Sequence, residues 1–397
     1  MTATPKNLTH SAASFLGKIL TLLANLFKFS RCLLLPVLFF FRCLPAHADN
    51  AIWDEQSGNW STGSNWSTRS APGSTTSTTN TDTASFYIGI GSSVTIDQPN
   101  QNIGSIFFGG NVLYGDSVGT VGGNPLLLSS GGSVTDTQYS DIGANQAVYA
   151  PLILEPANAT SNGTYTFANN ATGLGGLYFG GNISGDTTTG TITLNLTGTS
   201  NGDGSQIVGS ISNGNASSLA LVVATSGTQV WILTGSNTYT GTTTLDAGIL
   251  NVANLANCGN TSSIGASSNA AGNLIFGGGT LQYTGTTAQS TDRLFTIGDA
   301  NGNTAILDAS GTGSGTVSFT NTGDVAFTNA ATHNLTLTGS NTGANTFALT
   351  LTDQSVGNAT SLTKTGVGTW IISGANTYTG TTVVSAGTLN LTGSLSG

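Results

Sequence analysis

A segment that occurs twice limits what this chain can fold into more than any other feature. Residues 231–252 return as 370–391 at a constant offset of 139, with 14 identities in 22 positions. The shared residues of the first copy are Trp231-Ile232, Gly235, Asn237-Thr238-Tyr239-Thr240-Gly241-Thr242-Thr243, Ala247-Gly248 and Leu250-Asn251. Their counterparts are Trp370-Ile371, Gly374, Asn376-Thr377-Tyr378-Thr379-Gly380-Thr381-Thr382, Ala386-Gly387 and Leu389-Asn390. A degenerate third copy stands at Leu337-Thr338-Gly339-Ser340-Asn341-Thr342. One shorter family joins Ile106-Phe107-Phe108-Gly109-Gly110, Leu177-Tyr178-Phe179-Gly180-Gly181 and Leu274-Ile275-Phe276-Gly277-Gly278. Another is the Leu-x-Leu-Thr-Gly tract that ends at Gly198, Gly339 and Gly393. Self-similarity of this kind marks stacked repeats, in which each unit buries its apolar face against the next.

Inside the repeat, 230–234 reads as a strand, Gly235-Ser236-Asn237 as a turn, Tyr239 as an inward aromatic and Gly241 as a second turn. A strand at 242–245, a turn at Asp246-Ala247-Gly248 and a strand at 249–252 complete it. Three short strands with tight turns in roughly 22 to 24 residues predict one rung of a right-handed parallel β-helix. Apolar residues alternate with Thr, as in Leu335-Thr336-Leu337-Thr338, so one row faces inward and Thr lines the outside. With rungs about 4.8 Å apart, about 15 rungs would give a rod on the order of 70 Å. Asn237 and Asn376, at the same turn position, are expected to form hydrogen-bonded ladders with Asn or Ser of neighbouring rungs.

Composition agrees with this reading. The chain holds 56 Gly in 397 residues and only 6% charged residues, against about 7% Gly and about 25% charge in ordinary domains. Glu, Lys and Arg, which stabilise surface helices, are nearly missing, so long helices are excluded beyond the N-terminus. The 38% apolar residues fall in short runs sufficient for a thin continuous core, which separates the chain from disordered sequences.

Residues 1–48 differ from the rest. Lys6, Lys18, Lys28 and Arg31 precede the short apolar run Leu33-Leu34-Leu35-Pro36-Val37-Leu38-Phe39-Phe40-Phe41, and Ala46-His47-Ala48 has the small-x-small form of a cleavage site. This reads as a secretory signal peptide cut before Asp49. Its removal leaves three basic residues, Arg69, Arg293 and Lys364, against 17 acidic ones, a net charge of −14. Such a balance argues against electrostatic binding of nucleic acid. Cys32 and Cys43 leave with the leader, so Cys258 has no partner for an internal disulfide. Residues 49–85, with Trp53, Trp60 and Trp66, are expected to form an N-terminal cap, and 86–397 the β-helix, with repeats at 229–252 and 368–391.

The runs Gly-x-Asn-Thr-Tyr-x-Gly-x-Thr and Ala-Gly-x-Leu-Asn, at 235–251 and 374–390, resemble the autotransporter-associated β-strand repeat, also called the passenger-associated transport repeat. The segment around Trp53-Asp54, Gly58-Asn59-Trp60-Ser61 and Asn65-Trp66 is similar to the start of many mature proteins of this kind. The resemblance implies a secreted β-helical passenger at the outer membrane or cell surface, structural or adhesive, whose repeats assist export and folding. It also implies a translocator as partner, while the stacked Thr, Ser and Asn side chains, which serve equally as solvated faces, make a surface glycan the candidate ligand. The chain stops without a run of amphipathic strands for an outer-membrane barrel. The uncharged strand at 387–392 is expected to self-associate through its edge.

Catalytic chemistry finds few candidates. No phosphate-binding Gly-Lys-Ser/Thr loop, His-Glu-x-x-His zinc helix or Cys-x-x-Cys pair occurs, and no cofactor, metal or catalytic residue is assigned. His333 is expected in an exposed turn, Asp299-Ala300-Asn301-Gly302-Asn303 in a β-turn, and Cys258 beside a turn. The alternative function, a polysaccharide lyase or hydrolase on a β-helix, has one cluster to rest on: Arg293 beside Asp292, with Asp299 and Asp308 nearby in sequence. The repeat residues taken as structural are Trp231, Gly235, Asn237, Tyr239, Gly241, Gly248 and Leu250, with Trp370, Gly374, Asn376, Tyr378, Gly380, Gly387 and Leu389.

Overall fold

The computed structural model describes residues 50–397 except 77–78, 88–90, 112, 141–142, 188, 201, 203, 228 and 397. The basic leader, its apolar run, the cleavage motif, Cys32 and Cys43 lie outside the described residues.

The described chain is all β apart from two short 3-10 turns, Gly63–Asn65 and Ala271–Asn273. Its strands stack in chain order. A 13-stranded parallel sheet runs from Ser57–Asn59 to Thr382–Val384, and a 14-stranded parallel sheet starts at Asn50–Ile52 and ends at Ala326–Phe327. A five-stranded sheet, from Gln289–Thr291 to Thr388–Leu391, forms a further face in the C-terminal part. The chain climbs from sheet to sheet and returns to stack on itself, which is a parallel β-helix. Thirteen stacked strands at about 4.8 Å each make a stack of about 60 Å, shorter than the 15 rungs expected from the sequence, because many coils carry longer corners. The coil from Ser57 to its partner Ser93, for example, takes 36 residues.

Alternation builds the core. In Thr191–Gly198, Ile192, Leu194 and Leu196 are fully buried while Thr193, Asn195 and Thr197 are half-exposed. The next strand, Ser218–Thr225, lies in register and places Leu219, Leu221 and Val223 on the same inner row. Each such side chain contributes about 1.5–3 kcal/mol by burial. Aromatic rings stack in the core, Phe86 on its axial partner Phe108 at 5.3 Å and Phe167 on Phe179 of the facing sheet at 4.3 Å. At the first described coil, Trp53 and Trp60 each meet Trp66 edge to face at 5.0 Å. The Trp60 indole N–H donates to Pro72 O and that of Trp66 to Trp60 O. These tryptophans lie within a coil whose strands Asn50–Ile52 and Ser57–Asn59 already pair with the following one.

Candidate functional site

The two repeats build the same object, a minimal coil. In the first, Val230 pairs with Ile249 directly above it, 19 residues on; in the second, Thr369 pairs with Thr388, again 19 residues on. The three-strand segment is therefore one coil plus the strand that begins the next, rather than a single rung. Each coil is built on two main sheets, and the second also pairs the short strand Ala375–Asn376 with Ser394–Leu395. The first visits the 13-stranded sheet, the 14-stranded sheet at Thr243–Ala247 and then the 13-stranded sheet again. The second visits the five-stranded sheet, the 13-stranded sheet at Thr382–Val384 and then the five-stranded sheet again. The same sequence thus makes the same coil, moved on by one face.

Where a full strand would lie, the chain runs through Gly-x-Asn-Thr-Tyr-Thr-Gly with two ladder residues at most, and the asparagine side chain adds bonds to the coils on either side. Asn237 is buried. Its Oδ1 accepts the N–H of Ile211 in the coil below (2.8 Å), and its Nδ2 donates to Ser263 O in the coil above (2.8 Å). Asn376 Oδ1 likewise accepts the N–H of Leu351 (2.9 Å), and its Nδ2 donates to Gly374 O and to Ser394 O above. Each asparagine thus reaches a Ser of the next coil, through its main-chain carbonyl, and also takes up a backbone N–H of the coil below, because a buried main-chain N–H left without a strand partner is the group that most needs one.

The other repeat residues shape this turn. Tyr239 and Tyr378 point inward, and each hydroxyl meets the Thr four residues on, Thr243 at 2.8 Å and Thr382 at 2.7 Å. Burial raises both phenol pKa values, although the threonine hydrogen bonds oppose it. Trp231 and Trp370 are buried and donate to Thr197 O and Thr338 O of earlier coils. Leu250, opposite Trp231, is fully buried, whereas Leu389, opposite Trp370, is only partly covered. Gly241 and Gly380 donate to Leu219 O and Thr360 O, so close that a Cβ on either would stand 2.2 Å from that oxygen. Gly235 and Gly374 face Gly209 O and Leu349 O as closely. Gly248 and Gly387 have φ of +78° and +70°, a conformation that favours glycine.

Two residues outside the repeat were missed by sequence reasoning. Asn213 Oδ1 accepts the N–H groups of Leu219 and Thr240, and its Nδ2 donates to the Thr240 hydroxyl. Asp353 Oδ1 accepts the N–H groups of Thr360 and Thr379, and its Oδ2 accepts the Thr379 hydroxyl. Burial acts to raise Asp353, but these hydrogen bonds outweigh it and hold its carboxyl below the ordinary value. Each clamp precedes its Thr by about one coil, and an amide in one copy does the work of a carboxylate in the other, so no identity marks them. Beside Asp353 lies an open hollow of about 410 Å³ lined by Thr352, Ser355, Val356, Gly357, Thr377 and Thr379.

Residues weighed for chemistry are scattered. His333 is buried, not in an exposed turn, because it begins the inward row His333-Leu335-Leu337 of strand His333–Thr338. Its Nε2 meets Asn329 Oδ1 at 2.9 Å, and burial lowers its pKa. The Arg293 cluster does not assemble at the surface. Arg293 is buried and donates to Ser267 Oγ and Gly265 O, while Asp292 accepts the N–H of Cys258 and Asp308 accepts from Gln282. Asp299 closes its turn by accepting the N–H groups of Asn301 and Gly302. It also bonds Asp246, which burial, then Asp299, pushes up to about 6. The spacing Gly-x-Ser-x-Gly, a hydrolase nucleophile elbow in other settings, occurs at 115–119 and 198–202, contrary to the expectation that the chain lacks it. Ser117 lies in the parallel strand Ser117–Val118 and donates to Ser92 O, and Ser200 is buried. Among the described residues no three His, Cys, Asp or Glu side chains converge as a metal site.

The passenger-associated-transport-repeat family matches residues 225–252 and 362–391. The chain is also similar to the adhesin BmaC autotransporter of Brucella suis biovar 1 (strain 1330), 35% identical over 299 residues. That match covers 68% of this chain but only 8% of the relative, so the chain spans a small part of the protein it resembles. No solved structure matches it.

Proposed function

We propose that this chain, an autotransporter-associated repeat protein, is a non-enzymatic stretch of β-helical passenger that is secreted or displayed at the cell surface and serves adhesion. The observation that carries the reading is the similarity to an adhesin over 68% of the chain, supported by two repeats that each close a 19-residue coil. The coils suit export. Each closes a turn of the helix from a short contiguous segment, so it forms with little loop-closure cost and offers a template on which the next coil stacks. Its partners are an outer-membrane translocator during export and a surface glycan afterwards, met by the Thr-, Ser- and Asn-rich outer faces rather than by charge.

Protease shaving of intact cells tests display: the protein is expected to be cleaved before lysis, and full protection until lysis overturns it. Attachment of cells with and without the protein to immobilised neutral glycans and host-cell surfaces tests adhesion. Equal attachment removes that part.

A further inference from the structure

The two repeats share a clamp but not the loop that leaves it. Five residues separate Asn213 from Leu219, and six separate Asp353 from Thr360. In the first copy the loop folds down on the preceding coil: Asn215 N–H donates to Gly185 O and Ser217 N–H to Gly190 O (both 3.1 Å), Asn215 Nδ2 donates to Asp186 Oδ1 (2.9 Å), and Ala216 is buried. In the second copy it turns on itself. Asn358 N–H donates to Ser355 O (3.0 Å), Asn358 Nδ2 donates to Gln354 Oε1 (3.1 Å) and Ser355 Oγ (2.8 Å), and Ser355 Oγ donates to Gln354 Oε1 (2.7 Å). Gly357, with φ of +89°, takes the third position of the turn 355–358, where a positive φ calls for glycine.

The loop that stands off leaves the hollow of about 410 Å³ between itself and the segment that carries Thr377 and Thr379. That volume falls within the range of small-ligand sites, about 300–1,000 Å³. Its lining is of two kinds. Val356, at the tip of the turn, is fully exposed, and a Cβ on Gly357 would meet nothing within 4 Å. Thr377 and Thr379, exposed on either side of the buried Tyr378, bring hydroxyls to the same hollow. Asp353 already accepts the N–H groups of Thr360 and Thr379 and the Thr379 hydroxyl, so its charge is taken up by the chain. No basic side chain lines the hollow, and an acidic ligand would meet only the Asp353 carboxylate. Hydroxyls beside one apolar side chain, without a free charge, match the surface of a sugar ring, which carries hydroxyls at its rim and C–H groups on its face.

We propose that this hollow holds one sugar residue of a neutral glycan, with the C–H face of the ring on Val356 and its hydroxyls bonded to those of Ser355, Thr377 and Thr379. The site rests on the adhesive reading above and narrows it from the outer faces at large to one place. The first repeat lacks that place, because its loop lies against Gly185 and Gly190. The Gln354 and Asn358 side chains hold the second loop in shape without a ligand, so little ordering remains to oppose binding.

The test is binding of the purified protein to an array of neutral oligosaccharides built from glucose, galactose, mannose and N-acetylhexosamines, with sialylated and sulfated chains as acidic comparison. At least one neutral chain is expected to bind. Val356→Asp and Thr377→Val, both at exposed positions, are each expected to weaken that binding about tenfold, or about 1.4 kcal/mol, with an unchanged unfolding midpoint to show that they fold. Thr238→Val, the matching change in the first repeat, leaves binding as it was. Binding undiminished in both hollow variants, or weakened as much by Thr238→Val, overturns this site and leaves glycan adhesion through other faces standing. Binding to acidic chains alone overturns the site as well. Binding to no chain overturns the site and the glycan partner together, while attachment to host-cell surfaces still decides adhesion.

Discussion

Val230 and Ile249 face each other across adjacent coils although only 19 residues separate them. A closed turn of a β-helix from so short a segment is possible because one face is spanned by a turn instead of a full strand, and the Asn237 side chain adds bonds to the coils on either side. Asn237→Ala therefore leaves Ile211 N–H and Ser263 O without their partner in a dry interior. The expected cost is about 1–3 kcal/mol, typical of a buried group left unsatisfied. Hydrogen exchange reads it at one site: the Ile211 amide loses protection while amides several coils away keep theirs. Asn376→Ala has the same expected effect on the Leu351 amide, which bonds to Asn376 Oδ1.

Gly248 and Gly387 are the next most demanding positions. An L-residue at φ of +78° or +70° costs about 1–2 kcal/mol from conformation alone, and a Cβ on Gly248 would sit 1.6 Å from Thr225 Oγ1. Gly248→Ala is expected to exceed the conformational cost, since Thr225 is itself buried. Equilibrium urea unfolding checks it, and a loss below about 0.5 kcal/mol would show that the turn relaxes freely.

Tyr239 is fully covered while Tyr378 is 5% exposed. Tyr239→Ala is expected to cost about 3–5 kcal/mol and Tyr378→Ala less, because fewer groups pack over the second copy. Tyr239→Phe removes only the contact with Thr243 and should cost about 1 kcal/mol. In a stacked solenoid the damage stays with neighbouring coils, so proteolysis is expected to begin next to the altered coil.

The architecture was legible because inward rows recur with period two and because one segment repeats almost unchanged; 191–198 and 335–338 need no partner to reveal which face they bury. The role of Asn237 was only half legible. Sequence marks the residue but not that its partners are main-chain groups at Ile211 and Ser263, which become neighbours only once coil length is known. His333 was misplaced for a related reason. One residue decides whether a strand starts at His333 or after it, and its pairing with Thr360 puts the imidazole inside.

Asp299 lies over Gly277, whose missing side chain leaves the space: a Cβ there would stand 2.2 Å from Asp299 Oδ2. Burial first, then the hydrogen bond and charge of Asp299, raise Asp246 to about 6. The folded state therefore holds this proton more tightly than the unfolded chain, whose aspartates titrate near 3.9. Its contribution is complete below that value and is lost as pH rises through about 6. Tm is expected to rise on going from neutral pH toward pH 5, and Asp246→Asn to flatten that rise. An equally steep profile in the variant would assign it to another group.

Arg293 separates an architectural reading from a catalytic one. Its guanidinium is enclosed above the first repeat, bonded to Gly265 O and Ser267 Oγ, with Gly265 packed on Tyr239. Arg293→Ala empties this volume and strips both acceptors of their donor, so a loss of about 2–4 kcal/mol is expected. A catalytic arginine on a β-helix would instead act at an open face, and its removal would abolish polysaccharide turnover with little change in stability. Parallel measurement decides the matter: unfolding of both proteins in urea, and incubation of both with neutral and acidic polysaccharides. The architectural role predicts a lower unfolding midpoint for the variant and no turnover by either. Turnover by the unmodified protein that vanishes in a variant of unchanged stability would make Arg293 part of an active site.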